Sequence, residues 1–382
     1  MDTKVVSPAV PALQMQEEEK AYIAPPSKLM WWKFRKHRMA MVAGVVLIIL
    51  YVCAIFAEFV APFDPFTFNA RFTFMPPQPV HFIDEKGQLQ RPFTYEMVKR
   101  RDPVTFATTY AQDATKPKHY LQLFSPGQEY RLWGIIPSTI HLFGVTGEEQ
   151  NGTIFLLGTD SQGRDLLSRI IFGTRVSLSV SLVGMIFSLI LGILMGGVSG
   201  YFGGGVDMFI QRLIEFFQSL PTLPLWMGLA AAIPLNWDPL TVYFLITILL
   251  SLLSWTGLAR VVRGKFLSIR EEDFIMAARL LGASDRRIIL LHMVPSFLSY
   301  IIAATTLAIP DLILSETALS FIGLGLRPPV VSWGVLLKDA QNIRSVALAP
   351  WLLTPALVLI LAVVAFNFFG DGVRDAADPY VR

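Results

Sequence analysis

Six stretches of this chain, at about 39–61, 176–200, 211–233, 240–259, 294–320 and 349–370, are apolar over some twenty residues each. That is the length a helix needs to cross about 30 Å of hydrocarbon. A backbone in lipid must satisfy its own polar groups, so all six are expected to be helices, and the fold class is an all-α integral membrane protein. Of the 382 residues, 53% are hydrophobic and only 16% charged, with a mean hydropathy of +0.52, which excludes an ordinary soluble domain of this size. The only cysteine, Cys53, lies in the first stretch. It rules out an intramolecular disulfide framework and reads as packing.

Basic residues fall where topology puts them, so the net charge of +3 argues for membrane sidedness and not for nucleic acid. Lys33, Arg35, Lys36 and Arg38 precede the first span, and Arg260, Arg263, Lys265, Arg270, Arg279, Arg286 and Arg287 follow the fourth. By the positive-inside rule both clusters face the cytoplasm, and with six spans both termini are expected there. Trp31 and Trp32 sit beside the first cluster, as headgroup-level aromatics do. The first span is too long and starts too late for a cleavable signal peptide.

The segments are then 1–38, a polar cytoplasmic tail and interfacial stretch; 39–63, the first span; 64–160, an extracytoplasmic insertion; 161–370, a core with five spans; and 371–382, a cytoplasmic tail. The insertion is too long for a loop without structure of its own. Alternation in Phe66–Phe74 (FTFNARFTF), with breakers at Pro76-Pro77, Gly87 and Pro126-Gly127, predicts a small strand-containing lobe. Asn151-Gly152-Thr153 matches a glycosylation acceptor, a pattern common by chance. In the second span Gly184, Ser188, Gly192, Gly196 and Gly200 recur every fourth residue, a stripe that lets another helix approach closely.

Between the fourth and fifth spans, Asp273–Pro295 (DFIMAARLLGASDRRIILLHMVP) is a charged, alanine-rich segment where a plain loop is expected. Ser268 and Glu271 have capping-box spacing, Gly282 stands where a glycine would end a helix, and Ser284 with Asp285 would start a second. Ala277 and Ala278 leave the first helix thin, with Phe274, Met276 and Arg279 as knobs and charge for a partner. Two readings stand, a docking element for a soluble partner and a solvated amphipathic loop.

This segment resembles the EAA loop of binding-protein-dependent ABC importers, with Ala277, Ala278, Gly282 and Pro295 at the matching positions, Met276 in place of the usual Glu and Val294 in place of Leu. Leu157–Leu178, Gly200–Leu223, Leu319–Leu337 and Gly370–Pro379 resemble the C-type permease subunit of oligopeptide and dipeptide importers, as does the start WWKFRKHRMAMVAGVV. The resemblance implies a type I importer permease in a bacterial plasma membrane. A B-type permease subunit would share the pore, two ABC ATPase subunits would receive the coupling helices, and an extracytoplasmic solute-binding protein would deliver peptide. An oligosaccharide importer of the same architecture is the alternative. The resemblance also implies that this chain holds no cofactor and is not itself an enzyme, ATP and Mg²⁺ being bound by the ATPase subunits. Residue by residue, Val261–Phe266 (VVRGKF) superficially resembles a phosphate-binding loop, but Ala259 and Phe266 stand where Gly and Ser or Thr are needed.

Charged residues within spans are functional candidates, since each costs at least about 2.5 kcal/mol on insertion scales. Arg212 and Glu215 have the spacing to neutralise each other. Asp311 and Glu316, after Pro310, either line the translocation path or lie in water near the outer face. Asp160, Arg164 and Asp165, just outside the second span, either contact the binding protein or cap the helix.

Overall fold

A computed structural model of the chain describes residues 26–377, other than 85, 86, 102, 104–107, 114, 116, 147–153 and 235. The expected polar tail up to residue 25 and the Asn151 acceptor lie outside the described residues. The described residues open with α1 (Pro26–Lys36), then α2 (Arg38–Ile55) and a one-turn α3 (Ala57–Val60). His37 caps α2 by accepting from the Ala40 N–H at 3.1 Å.

The lobe follows, and it makes the molecule more than all-α. Strands β1 (His81–Ile83), β2 (Leu89–Thr94), β3 (Glu96–Arg101), β4 (Thr108–Asp113), β5 (His119–Leu132) and β6 (Ile136–Thr146) form a four-stranded antiparallel sheet in the order β1-β2-β5-β6 and a two-stranded ribbon β3-β4. The strand expected in Phe66–Phe74 is instead a 3-10 turn, Ala70–Phe72, capped by the Asn69 side chain. Phe72 and Met75 are packed with Met97 and Phe155 beneath the ribbon, and that burial overrides the alternation. Pro126-Gly127 does not end a strand either. It sits inside β5, where the register against β6 shifts between Pro126 and Tyr130, an irregularity that accommodates the proline's missing donor.

Helix α4 (Leu166–Phe202) begins ten residues before the expected second span, and α5 (Gly204–Ser219) and α6 (Thr222–Ala231) follow. The third span, expected as one helix over 211–233, is therefore broken at Leu220-Pro221, since proline cannot continue the hydrogen-bond ladder. Helix α7 (Pro239–Ile269) is capped by Asp238. The segment that follows comprises α8 (Asp273–Leu280), α9 (Asp285–Arg287), a wide π-type stretch Ile288–Met293 and α10 (Val294–Ser296). Then come α11 (Leu298–Ile322), α12 (Trp333–Asp339), α13 (Ile343–Leu348) and α14 (Thr354–Ala377). Five of these helical segments are long and apolar enough to cross a membrane.

The small-residue stripe of α4 lies along α7 throughout. A Cβ on Gly192 would stand 2.8 Å from Leu258, one on Gly196 would collide with the Ala259 carbonyl, and one on Gly200 would come within 2.6 Å of Phe266. Ser251 crosses between them, donating its hydroxyl to the Gly184 carbonyl at 3.2 Å. At the far end of the chain α14 runs past the expected boundary at 370, because Val373 and Ala376 are buried against Phe34 and Ala40.

Candidate functional site

The segment between α7 and α11 forms a platform. Helix α7 does not end at a capping box on Ser268. It continues to Ile269 because Val262 and Phe266 extend its packing onto Tyr201, the penultimate residue of α4. Helix α8 starts at Asp273 with Glu272 in the N-cap position and no side-chain cap bond. Its end is as expected: Gly282 has φ +78, the Ala283 N–H reaches the Ala278 carbonyl at 3.0 Å and the Gly282 N–H the Arg279 carbonyl at 2.9 Å. This is the Schellman pair that satisfies the last carbonyls of a helix and requires a left-handed residue. Ser284 holds the next N-cap position with an extended backbone, though its hydroxyl makes no cap bond.

The faces of α8 divide differently from the sequence expectation. Ala278 does not turn outward. With Ile275, three residues earlier on the same face, it is buried against Tyr201, Val262, Ile288 and Met293. Phe274, Met276 and Ala277 are exposed as expected. Arg279 lays its guanidinium over the Tyr201 ring at 5.1 Å, and Tyr201 donates to the Asp285 carboxylate at 2.5 Å. The most exposed apolar residues are two the sequence reading passed over, Leu280 and Leu281, at 89% and 86%. The signal was there: two leucines directly before a helix-ending glycine have no helix left to bury them. Pro295 lies in α10, exposed.

Glu316 and Asp311 separate. Asp311 is exposed, whereas Glu316 is fully buried. Its Oε1 accepts from Ser320 at 2.8 Å and Ser332 at 2.9 Å, and its Oε2 from Ser177 at 3.3 Å. Each of those serine oxygens also accepts a backbone N–H, from Leu326 at 2.9 Å, Val335 at 3.3 Å and Trp333 at 3.1 Å. The carboxyl thereby fastens the turn after α11 and the start of α12 onto α4. Enclosed in this way, Glu316 presents no accessible surface within this chain.

Asp160 and Asp165 are likewise enclosed. Asp160 is inaccessible, paired with Arg164 at 2.7 Å and with the buried Arg169, which also reaches Asp339 at 3.3 Å. Asp165 caps α4 by accepting from the Ser168 N–H at 2.7 Å. Burial pushes its carboxyl up to about 6 against the opposing hydrogen bond from Ser168. Of the two sequence readings for this group, capping holds for Asp165, and Asp160 closes a turn through its contacts with the Gln162 and Arg164 N–H groups. Arg212 and Glu215 do pair, at 2.6 Å and exposed.

Residues 188–382, about half the chain, match the family described as binding-protein-dependent transport system inner membrane component. The chain belongs to this family. Residues 25–77 of the permease also match the N-terminal TM domain of oligopeptide transport permease C. The permease is 42% identical over 226 residues to the oligopeptide transport system permease protein OppC of Haemophilus influenzae, covering 59% of this chain and 70% of that one. Against the protein of the same name from Escherichia coli it is 41% identical, covering 59% and 72%. The dipeptide transport system permease protein DppC of Alkalihalophilus pseudofirmus is 39% identical over 227 residues, again 59% and 72%. An inward-facing structure of the MetNI methionine ABC transporter is similar at a TM-score of 0.44 and 19% identity, over 55% of this chain and 97% of that chain. The permease is a multi-pass membrane protein whose lobe falls between the two family matches.

Proposed function

We propose that this permease is the C-type subunit of an ATP-driven peptide importer, pairing with a B-type permease, two ABC ATPase subunits and an extracytoplasmic solute-binding protein. The observation that carries the coupling role is the division of α8. Ile275 and Ala278 are fixed in the permease's own core while Phe274, Ala277, Leu280 and Leu281 stand exposed beyond it. An apolar face held on a packed base fits a groove on a soluble partner. Met276 and Arg279 flank it.

In this reading α5 and α6 together make the third of six crossings, both termini are cytoplasmic, and the membrane is the bacterial inner one. The permease itself holds no nucleotide; ATP and Mg²⁺ belong to the ATPase subunits, and the chain is not an enzyme. Peptide as cargo is supported by the names of the relatives at 39–42% identity.

Reconstitution of the permease with its neighbouring gene products in proteoliposomes tests this. ATP-dependent uptake of a labelled oligopeptide is expected, abolished by Leu280→Asp with Leu281→Asp. Uptake of oligosaccharide and not of peptide would overturn the cargo, and unchanged coupling in the double variant would overturn the docking face.

A further inference from the structure

The hairpin β5–β6 descends alongside the chain that leaves the membrane. Near its middle, the His141 ring bridges the Ala61 carbonyl at 2.6 Å and the Gln128 carbonyl at 3.0 Å. At its tip, the Trp133 indole N–H donates to the Ile55 carbonyl at 2.8 Å, and the Trp133 ring meets Phe56 at 5.6 Å. Going from Ala61 to Ile55 is going back toward the apolar span α2, so the tip lies beside the end of that span. Arg175, which pairs with Glu58 at 2.6 Å and also donates to the Ile55 carbonyl, marks the polar collar at this level.

The tip is built against local preference. Three residues, Trp133 to Ile135, join the last strand pair, Leu132 with Ile136, and the Ile135 N–H reaches the Leu132 carbonyl at 3.0 Å. The first two are left-handed, Trp133 at φ +54 and Gly134 at φ +74. That geometry favours Asn-Gly, and a bulky side chain there is an outlier. The strain places an indole against the end of a membrane span. Beside it, Ile135 is 77% exposed and Trp133 51%, and Ile136 is exposed too. They continue the exposed stripe of Ile48, Val52 and Ile55 on α2, a surface that in a membrane helix faces lipid. Lipid chemistry fits the composition: an indole with its N–H on a carbonyl belongs at headgroup depth, with isoleucine side chains reaching the acyl boundary.

We infer that the β5–β6 tip, Trp133 to Ile136, is an interfacial membrane anchor that dips into the leaflet on the lobe side and fixes the lobe against the end of α2. Nothing in the family matches covers these residues. The anchor is thus a property of this insertion and independent of which cargo the permease carries.

The single native cysteine makes the test direct. In a Cys53→Ser background, Ile135→Cys is labelled with an environment-sensitive fluorophore, in the full-length permease held in lipid nanodiscs. Quenching by nitroxide-bearing lipids and protection from aqueous iodide are expected. Iodide quenching without lipid quenching would place the tip in water, and protection from both would mean that protein covers it; either overturns the anchor. Adding Trp133→Asn, which keeps the turn and removes the ring, should cut lipid quenching at position 135 by roughly twofold or more. An unchanged signal in that variant would exclude Trp133 as the holding group.

Discussion

Tyr201 donates its hydroxyl to the Asp285 carboxylate at 2.5 Å, tying the end of α4 to the far side of the Gly282 joint. A hydrogen bond to a charged acceptor contributes about 1.5–3 kcal/mol. Tyr201→Phe should therefore leave the membrane helices unchanged and loosen residues 283–297, raising their amide hydrogen exchange at least about tenfold. Identical exchange in the two proteins would show that Ile275 and Ile288 hold the platform alone.

The inward and outward residues of α8 predict two kinds of failure. Leu280→Ser with Leu281→Ser should keep the thermal midpoint of the isolated permease and lose co-purification of the ATPase subunits. Ala278→Trp should lower the midpoint itself, since overfilling a packed site costs about 1–3 kcal/mol. Equal midpoints for wild type and Ala278→Trp would contradict the burial of that alanine.

Glu316→Ala removes the acceptor of three buried hydroxyls, and each one left unsatisfied costs about 1–3 kcal/mol. Glu316→Gln keeps an oxygen for Ser320 and Ser332. Thermal unfolding should rank wild type above Gln and Gln above Ala. If Ala equals Gln, the serines have found other acceptors.

Asp165 gives the permease a signed pH dependence. Its carboxyl titrates at about 6 in the fold against about 3.9 in an unfolded chain. Between those values the folded state binds more protons, so stability falls as pH rises from about 4 to about 6, by an amount on the order of 3 kcal/mol. The thermal midpoint of wild type should fall relative to that of Asp165→Asn across that window. A difference that does not change with pH would mean the buried carboxyl titrates at its ordinary value.

The membrane helices were legible because hydrocarbon thickness sets a length that composition reveals, and the glycine stripe of α4 named a close neighbour before α7 was known to be it. Pro221 is equally visible, but an apolar count does not register a helix break, so the count alone gives an unbroken third span. Ser268 and Glu271 had the right spacing for a cap, yet Phe266 continues the α4–α7 contact past them, and tertiary packing outweighed the local signal. Acidic residues were the least legible. A carboxylate in an apolar run reads as functional whether it faces a pore or, like Glu316, serines. Its partners come from Ser177 and Ser332, far away in sequence and bearing no mark of their own. Ala278 shows the same limit: the pattern identified a thin helix face without saying which side would meet the permease's own core.

Helices α4 and α7 are pressed closely together from Gly184 against Ser251 to Gly200 against Phe266. At 1.5 Å per residue α4 is about 55 Å long. Two rods joined along so much of their length bend far less than either alone. Force arriving at α8 through Ile275 would therefore act as torque on a stiff double beam. Toward the other end of that beam stand Ser177 and the residues it grips, so a small displacement at α8 would be carried to the Trp333 turn and not spent as local flexing near the point of contact.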